Sequence, residues 1–208
     1  MTPTELHAHF AALPGAEQIG SSFAAEALAR WLRRCRPLRV VEVGSGIGLL
    51  TAVIVMTLAS NRVGGLVATV EPDVWCARRC IENVRRISGR VVDPCLDWSD
   101  IPHVDFLVID GGDTRDDYYA NLARRAVVFW EGNRRDQRAM FRAMWEGGRP
   151  FVTAEWKPAD RSKGFHVALM EPTPAERVWF AAARLREWVR DGIARARGRA
   201  VGKKRVGA

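Results

Sequence analysis

The chain has 208 residues, of which 48% are hydrophobic and 27% are charged, a balance that excludes a disordered or fibrous protein. This length favours one domain that spans residues 1–208. The formal net charge is +8, but residues 195–208 hold six basic residues and no acid, so removing them leaves only +2. We therefore expect a nearly neutral domain with a basic, disordered tail at residues 196–208, and not a uniformly basic nucleic-acid-binding surface.

The sequence predicts a cytoplasmic protein with no membrane partner. Its first residues, MTPTELHAHF, lack the basic start and the apolar stretch of a secretory signal. Gly44–Asn61 is an uncharged run, but its glycines and its flanking patterns indicate a buried loop and helix instead of a membrane span. The cysteines form no C-x-x-C pair, which favours reduced thiols over disulfides or a zinc site. These are Cys35, Cys76, Cys80 and Cys95.

Strand-like and helix-like patterns alternate along most of the chain. A lead-in helix is predicted at Phe23–Arg34, within residues 1–36. The predicted strands that follow are Leu38–Val43, Leu66–Val70, Arg90–Val92, Val104–Ile109 and Ala126–Trp130. The predicted helices are Ile47–Ala59, Asp73–Arg86, Arg115–Arg125 and, after the last of these strands, Arg134–Trp145. Strands that alternate with helices predict an α/β fold with a doubly wound, mostly parallel sheet.

The C-terminal part departs from this alternation. Arg149–Trp156 and Gly164–Met170 are strand-like runs separated by the polar turn Lys157–Lys163, so we expect an antiparallel hairpin at the sheet edge and seven strands in all. Thr173–Glu176 then forms a capping box with proline at the first helical position. A helix is predicted to follow, since apolar residues recur at helical spacing at Val178, Ala181, Ala182, Leu185, Trp188, Val189 and Ile193.

A glycine-rich loop joins the first predicted strand to its helix. Glu42–Gly48 reads E-V-G-S-G-I-G, and glycines at such a junction let a ligand approach the backbone beside free N–H groups of the helix. A dinucleotide-binding loop has glycine at its first, third and sixth positions, whereas Leu49 occupies the sixth position here. Glu42 would also repel a pyrophosphate. The loop therefore favours a cationic nucleotide-like ligand over a nicotinamide dinucleotide.

At these residues the sequence resembles the class I S-adenosylmethionine-dependent methyltransferases, whose first motif is an acid followed by G-x-G-x-G. The resemblance covers nearly the whole chain and implies one Rossmann-like domain that binds S-adenosylmethionine. It also implies that the motif acid lies near the methionine end of the cofactor and that the glycines pass close to it. The cofactor-binding residues implied for this motif are Glu42, Gly44, Ser45, Gly46 and Gly48.

The resemblance implies two further acids at the cofactor. The second, at the end of the next strand, binds both ribose hydroxyls, and Glu71 occupies that place. The third meets the adenine amino group and is either Asp93 or Asp97; we favour Asp97, with Trp98 beside the ring. Related small-molecule enzymes cover the cofactor with the segment that here includes Gln18, Gly20 and Ser21.

The methyl acceptor is expected beyond the carboxyl end of the fourth strand. There the segment Val108–Thr114, V-I-D-G-G-D-T, is similar to the I-D-G-D segment of small-molecule O-methyltransferases. The resemblance implies a small-molecule acceptor that is methylated at a hydroxyl oxygen. We place Asp110 beside the cofactor and name Asp110 and Asp113 as candidate bases for the hydroxyl proton, with turn capping as the alternative role of Asp110.

The metal-dependent branch of those enzymes binds a divalent cation with this aspartate and an Asp-Asn pair after strand five. The fifth strand here ends Trp130-Glu131-Gly132-Asn133, so glutamate and asparagine separated by a glycine replace that pair. We assign no metal ligand, and a Mg²⁺ site formed by Asp110, Glu131 and Asn133 is the open alternative.

Other functions remain as alternatives. A nucleic-acid (rRNA or tRNA) methyltransferase would need an Asn/Asp-Pro-Pro-aromatic loop or a Pro-Cys pair after strand four, whereas Pro94-Cys95 follows strand three, and the tail supplies only nonspecific affinity. His103 and His166 fall away from the predicted site. A non-catalytic protein could use the helix Ala175–Ala194 to bind a partner, and a homodimer is open for either reading.

Overall fold

The computed structural model describes residues 1–61, 65–94, 101–111, 120–132, 142, 144–158 and 164–205. Its helices are α1 (Pro3–Ala11), α2 (Ser22–Cys35), α3 (Leu49–Ser60), α4 (Val74–Ser88) and α5 (Pro174–Arg205), and Ala16–Gln18 is a short 3₁₀ turn. Its strands are β1 (Arg39–Val43), β2 (Leu66–Val70), β3 (Asp93–Pro94), β4 (Val104–Ile109), β5 (Leu122–Glu131), β6 (Phe151–Trp156) and β7 (Phe165–Met170).

The strands form one mixed sheet in the order β3-β2-β1-β4-β5-β7-β6. β1 pairs in parallel with β2 and β4, and β4 pairs in parallel with β5. β7 is antiparallel to both β5 and β6. The predicted α/β, Rossmann-like class is confirmed. Because the parallel strands end at one edge, the residues that follow β1, β2, β4 and β5 are brought close together.

Alternation of side chains along the strands produces a core on each side of the sheet. In β4, Phe106 and Val108 contribute to one buried cluster, and Leu107 and Ile109 contribute to the other. α3 lies in the first cluster and is buried over most of its surface because it packs against α1, α2 and α4. This explains why its sequence is apolar throughout instead of amphipathic.

Two predicted elements were placed wrongly. Residues 122–125, predicted as the end of a helix, belong to β5, which begins at Leu122, four residues before the predicted Ala126. The third strand was predicted at Arg90–Val92, but the pairing with Ala68 and Thr69 is made by Asp93 and Pro94. In both places a neighbouring strand fixes the extended segment, and local periodicity does not report such pairing. Of the rest of this predicted helix, Ala120 and Asn121 lie in a turn, and residues 115–119 lie outside the described part of the chain.

The helices at the two ends differ from the sequence prediction. α1 was not predicted, although Thr2 caps it and the side chain of Glu5 accepts a hydrogen bond from the Thr2 N–H at 2.7 Å. α5 continues through Arg205 and so includes most of the tail that we expected to be disordered. Alanine and arginine are strong helix formers and no proline interrupts this stretch, so the helix propagates. Within the described ranges, none of the helices combines the length and the apolar composition that a bilayer crossing requires.

Candidate functional site

A cleft of about 420 Å³ opens at the edge of the sheet where the parallel strands end. Loops that follow β1, β2 and β4 form one wall, and the segment between α1 and α2 forms another. The cleft brings together five of the predicted cofactor-binding residues. These are Gly44, Ser45, Gly46, Glu71 and Asp110.

The glycine loop holds its shape through positive backbone angles and close backbone approach. Gly44, Gly46 and Gly48 have φ angles of 80°, 52° and 101°. The Gly44 N–H donates to the Val70 carbonyl at 2.8 Å, and a Cβ on Gly44 would lie 2.5 Å from the carbonyl oxygen of Gly111. No side chain fits there, so glycine is required for the loops after β1 and β4 to meet.

Glu71 links the end of β2 to this loop. One carboxylate oxygen accepts a hydrogen bond from the Gly46 N–H at 2.7 Å, and the other accepts from the Asp73 N–H at 3.1 Å. Each carboxylate oxygen has a further lone pair, so the group can still accept hydrogen bonds from a ligand in the cleft. Glu71 is therefore held in place by the backbone and oriented as an acceptor.

Glu42 lies beneath the loop and is fully buried. Burial raises its pKa to about 8, with a further rise from the nearby Glu71, while a hydrogen bond donated by the Thr51 hydroxyl opposes the rise. Glu42 Oε1 and the hydroxyl of Ser45 are buried without a hydrogen-bond partner among the described residues. Unsatisfied buried polar atoms are costly, so these two atoms are candidates to accept hydrogen bonds from a ligand or from water at the cleft.

Asp110 and Glu131 approach each other at the ends of β4 and β5, next to Gly20. A Cβ on Gly20 would lie 2.7 Å from Glu131 Oε2 and 3.5 Å from Asp110 Oδ2. Glu131 is only 1% exposed, and its Oε1 accepts a hydrogen bond from the Ser21 N–H at 2.6 Å. This carboxylate therefore anchors the start of α2 to the sheet.

The segment between α1 and α2 forms a wall of the cleft and includes Gln18 and Gly20, two of the three residues that the sequence predicts to cover the cofactor. Both residues line the cleft, and Gly15 at the start of the segment touches Trp75 from α4, where a Cβ would lie 2.6 Å from the indole ring. Trp75 was not singled out in the sequence. It is 45% exposed and its ring is 5.5 Å from the Arg79 guanidinium. An exposed tryptophan four residues after Glu71 was the signal that could have identified it.

The charge of the cleft is one-sided. Glu17, Glu71 and Asp110 contribute carboxylates, and no lysine or arginine is among the described residues that line it. Such a surface attracts a cation and repels the pyrophosphate of a dinucleotide. The fold and the charge together disfavour a nicotinamide dinucleotide as the ligand.

Several predicted residues cannot be compared with the structure. Asp97, Trp98, Asp113 and Asn133 lie outside the described residues. Asp93 is described only as a backbone residue of β3. His166 lies in β7, where its ring stacks on Trp130 with the centroids 5.3 Å apart, and burial lowers its pKa. It is not among the residues that line the cleft.

The predicted Mg²⁺ alternative has two of its three ligands, Asp110 and Glu131, in the described part of the chain. Glu131 already accepts a backbone hydrogen bond through one oxygen, and Asn133 is not described. Over the described ranges, no group of three or more histidine, cysteine or acidic side chains is close enough to hold a metal ion. We derive no chemical step through a metal.

No family model matches the sequence, and no curated protein matches it. Solved structures do match the fold. An O-methyltransferase from Bacillus cereus, in complex with S-adenosylhomocysteine, superposes with a TM-score of 0.64 at 17% identity, covering 81% of this chain and 90% of that chain. The O-methyltransferase TomG from Streptomyces achromogenes, in complex with S-adenosylmethionine, has a TM-score of 0.58 at 17% identity and covers 82% and 88%.

A third similar structure is that of a methyltransferase that is not named as an O-methyltransferase. The precorrin-6y C5,15-methyltransferase from Geobacter metallireducens has a TM-score of 0.57 at 14% identity, and covers 74% of this chain and 92% of that chain. At these identities the likeness establishes the fold. The chain has the Rossmann-like fold of the class I S-adenosylmethionine-dependent methyltransferases.

Proposed function

We propose that this protein is an S-adenosylmethionine-dependent methyltransferase that methylates a hydroxyl oxygen of a small molecule. The observation that carries the proposal is the acidic cleft in which the glycine loop and the anchored Glu71 converge. Its acids complement the sulfonium and ammonium groups of S-adenosylmethionine, a match that a neutral or anionic cofactor would lack.

The cofactor would lie across the ends of β1 and β2. Glu71 would accept hydrogen bonds from both ribose hydroxyls, and Gly44 and Gly46 would allow the backbone to contact the methionine portion. Ser45 and Glu42 supply the buried polar atoms that would receive the remaining hydrogen bonds, directly or through water. We assign Asp97 and Trp98 to the adenine end as a prediction from the sequence.

The reaction is an in-line displacement at carbon. The acceptor oxygen bonds to the methyl carbon as the carbon–sulfur bond breaks, and the electron pair of that bond stays on sulfur to give neutral S-adenosylhomocysteine. The hydroxyl proton goes to a carboxylate, and Asp110 is the described residue at the acceptor end of the cleft, with Asp113 as the alternative. Orientation of the two reactants supplies most of the acceleration.

The acceptor class is the finer part of this proposal. Two of the similar structures above are O-methyltransferases, and the Asp110-Gly111 segment after β4 resembles the I-D-G-D segment of small-molecule O-methyltransferases, which favours oxygen. A small-molecule partner, a cytoplasmic location and a homodimer remain predictions from the sequence. The basic C-terminal segment leaves a nucleic-acid acceptor as the rival function, which the experiment below includes.

Calorimetric titration with S-adenosylhomocysteine, S-adenosylmethionine and NAD tests the cofactor first. Micromolar binding of the adenosyl ligands without binding of NAD supports the proposal. A negative result with both adenosyl ligands rejects it and favours a non-catalytic protein that uses this fold to bind partners.

Transfer is then assayed with methyl-labelled cofactor against phenolic and aliphatic alcohols, amines, carbon nucleophiles and total RNA. Mass spectrometry and NMR of the product identify the methylated atom. An O-methyl ether supports the acceptor assignment, whereas a C-methyl product or labelled RNA contradicts it while retaining the cofactor.

A further inference from the structure

A second cavity, of about 380 Å³, lies between α2, α5 and the ends of β6 and β7. It shares no lining residue with the acidic cleft. Its size is within the range of small-molecule sites, and its chemistry is the reverse of that in the cleft. We call it the tryptophan cavity, after Trp31, Trp156 and Trp179 in its wall.

The three tryptophans form one contact group that reaches the surface. The ring centroids of Trp31 and Trp179 are 5.9 Å apart, those of Trp31 and Trp156 are 6.1 Å apart, and those of Trp156 and Trp179 are 6.2 Å apart. Trp156 also stacks on Phe165 at 5.3 Å. Trp179 remains 39% exposed, so planar aromatic surface is available to a ligand.

The charged residues in the wall are all cations. Arg30 and Arg34 lie one helical turn apart on α2, and Lys157 and Arg190 lie across from them, while no acidic residue is among the described lining residues. A cavity that collects four cations beside aromatic rings is an anion-binding arrangement, since arginine can pair with a carboxylate and stack on a ring at the same time.

Two of these cations are already neutralised from outside the cavity. Lys157 Nζ lies 3.3 Å from Glu155 Oε2, and an Arg190 nitrogen lies 2.6 Å from Glu187 Oε2. Arg30 and Arg34 have no carboxylate within ion-pair distance in the part of the chain that the structure describes. Arg34 instead lies 5.0 Å from the Trp179 ring centre and 5.9 Å from that of Trp31.

We propose that the tryptophan cavity is a binding site for a small planar aromatic carboxylate, distinct from the cofactor cleft. The ring system of the ligand would stack on the exposed face of Trp179 and contact Trp31 edge-on, since the two indole rings lie at 83° to each other, and its carboxylate would pair with Arg30 and Arg34. The volume accommodates two fused rings with one carboxylate. This site does not depend on the proposed methyl transfer, because the two cavities have separate walls.

The test uses 2-naphthoate as the probe, titrated by calorimetry into the full chain saturated with S-adenosylhomocysteine. If that ligand does not bind, free protein is used instead. We expect saturable binding that weakens as NaCl is raised, because exposed ion pairs are screened. The neutral analogue 2-naphthalenemethanol and the non-planar anion cyclohexanecarboxylate should each bind at least about tenfold more weakly, since each lacks one of the two interactions.

Substitutions then locate the site. Arg30→Gln and Trp179→Leu should each weaken 2-naphthoate binding about five- to tenfold. The matched controls are Arg33→Gln on α2 and Trp188→Leu on α5, neither of which lines the cavity, and both should bind as the parent does. Circular dichroism and thermal melting confirm that each variant is folded.

Four results would overturn this site. They are absence of 2-naphthoate binding, its displacement by S-adenosylhomocysteine, equal affinity for the neutral analogue, and equal loss in the lining and control variants. Displacement is judged by comparing 2-naphthoate titrations of the free and the S-adenosylhomocysteine-saturated protein. The other three results do not bear on cofactor binding in the acidic cleft, which is measured separately by titration with S-adenosylhomocysteine.

Discussion

The carboxylate of Glu71 accepts a hydrogen bond from the backbone N–H of Gly46 at 2.7 Å, which joins the end of β2 to the loop after β1. Residues from two strands are thereby fixed relative to each other before any ligand arrives. A pre-oriented acceptor loses little entropy on binding, so this bond would favour tight binding of the ribose hydroxyls that we propose for Glu71.

Replacement of Glu71 tests this relationship directly. Glu71→Ala should weaken S-adenosylhomocysteine binding by about 1–3 kcal/mol, because charge-assisted hydrogen bonds to the ribose would be lost. Calorimetry measures the effect. Glu82→Ala on α4 is the control, since Glu82 is exposed, pairs with Arg79 and does not line the cleft. An unchanged affinity in the Glu71 variant would remove the ribose from this position.

Gly44 should be far less replaceable than Gly89, although both have positive φ angles. Nothing lies within 4 Å of the position that a Cβ on Gly89 would take. Gly89→Ala should therefore lower the free energy of unfolding by about 1–2 kcal/mol, which is the cost of placing a non-glycine residue in the left-handed backbone region. Gly44→Ala should cost a further ~1–3 kcal/mol, because the added Cβ would meet Gly111 at 2.5 Å.

Urea denaturation of the two glycine variants provides the comparison. If both variants lose the same stability, the loops after β1 and β4 do not meet as closely as the structure has them.

The sequence could predict the positions of Glu42 and Glu71 because both positions follow from the residue pattern of a single strand. Glu42 lies near the end of β1 and Glu71 directly follows β2, and both strands are apolar runs rich in β-branched residues. Because parallel strands in this fold class end at the same edge of the sheet, the two glutamates are expected to lie close together. The same reasoning placed Asp110 at the end of β4. Local pattern and topology thus predict the cleft and the backbone of its wall.

Glu131 shows what local pattern could not predict. In the sequence it was a candidate metal ligand, whereas its Oε1 accepts a hydrogen bond from Ser21, 110 positions earlier in the chain. No periodicity reports such a contact.

The early start of β5 has a similar cause, because Leu122 pairs with Val104 across a register shift in β4. α1 is different, because the capping box of Thr2 and Glu5 is a local signal that the sequence itself carries.

The buried Glu42 should make stability depend on pH. Burial raises its pKa from an ordinary 4.5 to about 8 in the folded protein, so the folded state holds a proton that the unfolded chain has released above pH 4.5. This contribution to stability is fully present below pH 4.5 and is lost as pH rises toward 8, by at most about 1.4 kcal/mol per pH unit.

Glu42→Gln should remove this part of the pH dependence, since glutamine does not titrate. Urea denaturation from about pH 5 to about pH 8 should show the parent losing stability faster than the variant. Glu82→Gln, at an exposed position, should follow the parent. Parallel curves for the parent and Glu42→Gln would mean that Glu42 does not gain a proton on folding.

Asp110 should affect turnover more than cofactor affinity. Asp110→Asn preserves the shape of the side chain but cannot accept the hydroxyl proton, so kcat should fall at least about a hundredfold with an acceptor found by screening. S-adenosylhomocysteine affinity should change only slightly. A variant with normal kcat would leave proton removal to Asp113 or to solvent.

Trp75 should report cofactor binding. Its ring lines the cleft against Gly15, so S-adenosylhomocysteine should alter its environment and change the intrinsic fluorescence of the protein. The chain has eight tryptophans, so the signal must be assigned by substitution. Trp75→Phe should abolish most of the change, whereas Trp145→Phe, at a residue that is 78% exposed and does not line the cleft, should retain it.

The affinity of the Trp75 variant separates two roles for this ring. If Trp75 stacks on the adenosyl group, Trp75→Leu should weaken binding by about 1–3 kcal/mol and Trp75→Phe by less, since phenylalanine keeps a π face. If Trp75 only packs against Gly15, both substitutions should weaken the contact that holds the segment between α1 and α2 over the cleft. The dissociation rate of the ligand should then rise, and the leucine and phenylalanine variants should lose similar affinity. Stopped-flow fluorescence with a labelled cofactor analogue measures that rate, and equal losses would therefore assign the ring to the cover and not to the ligand.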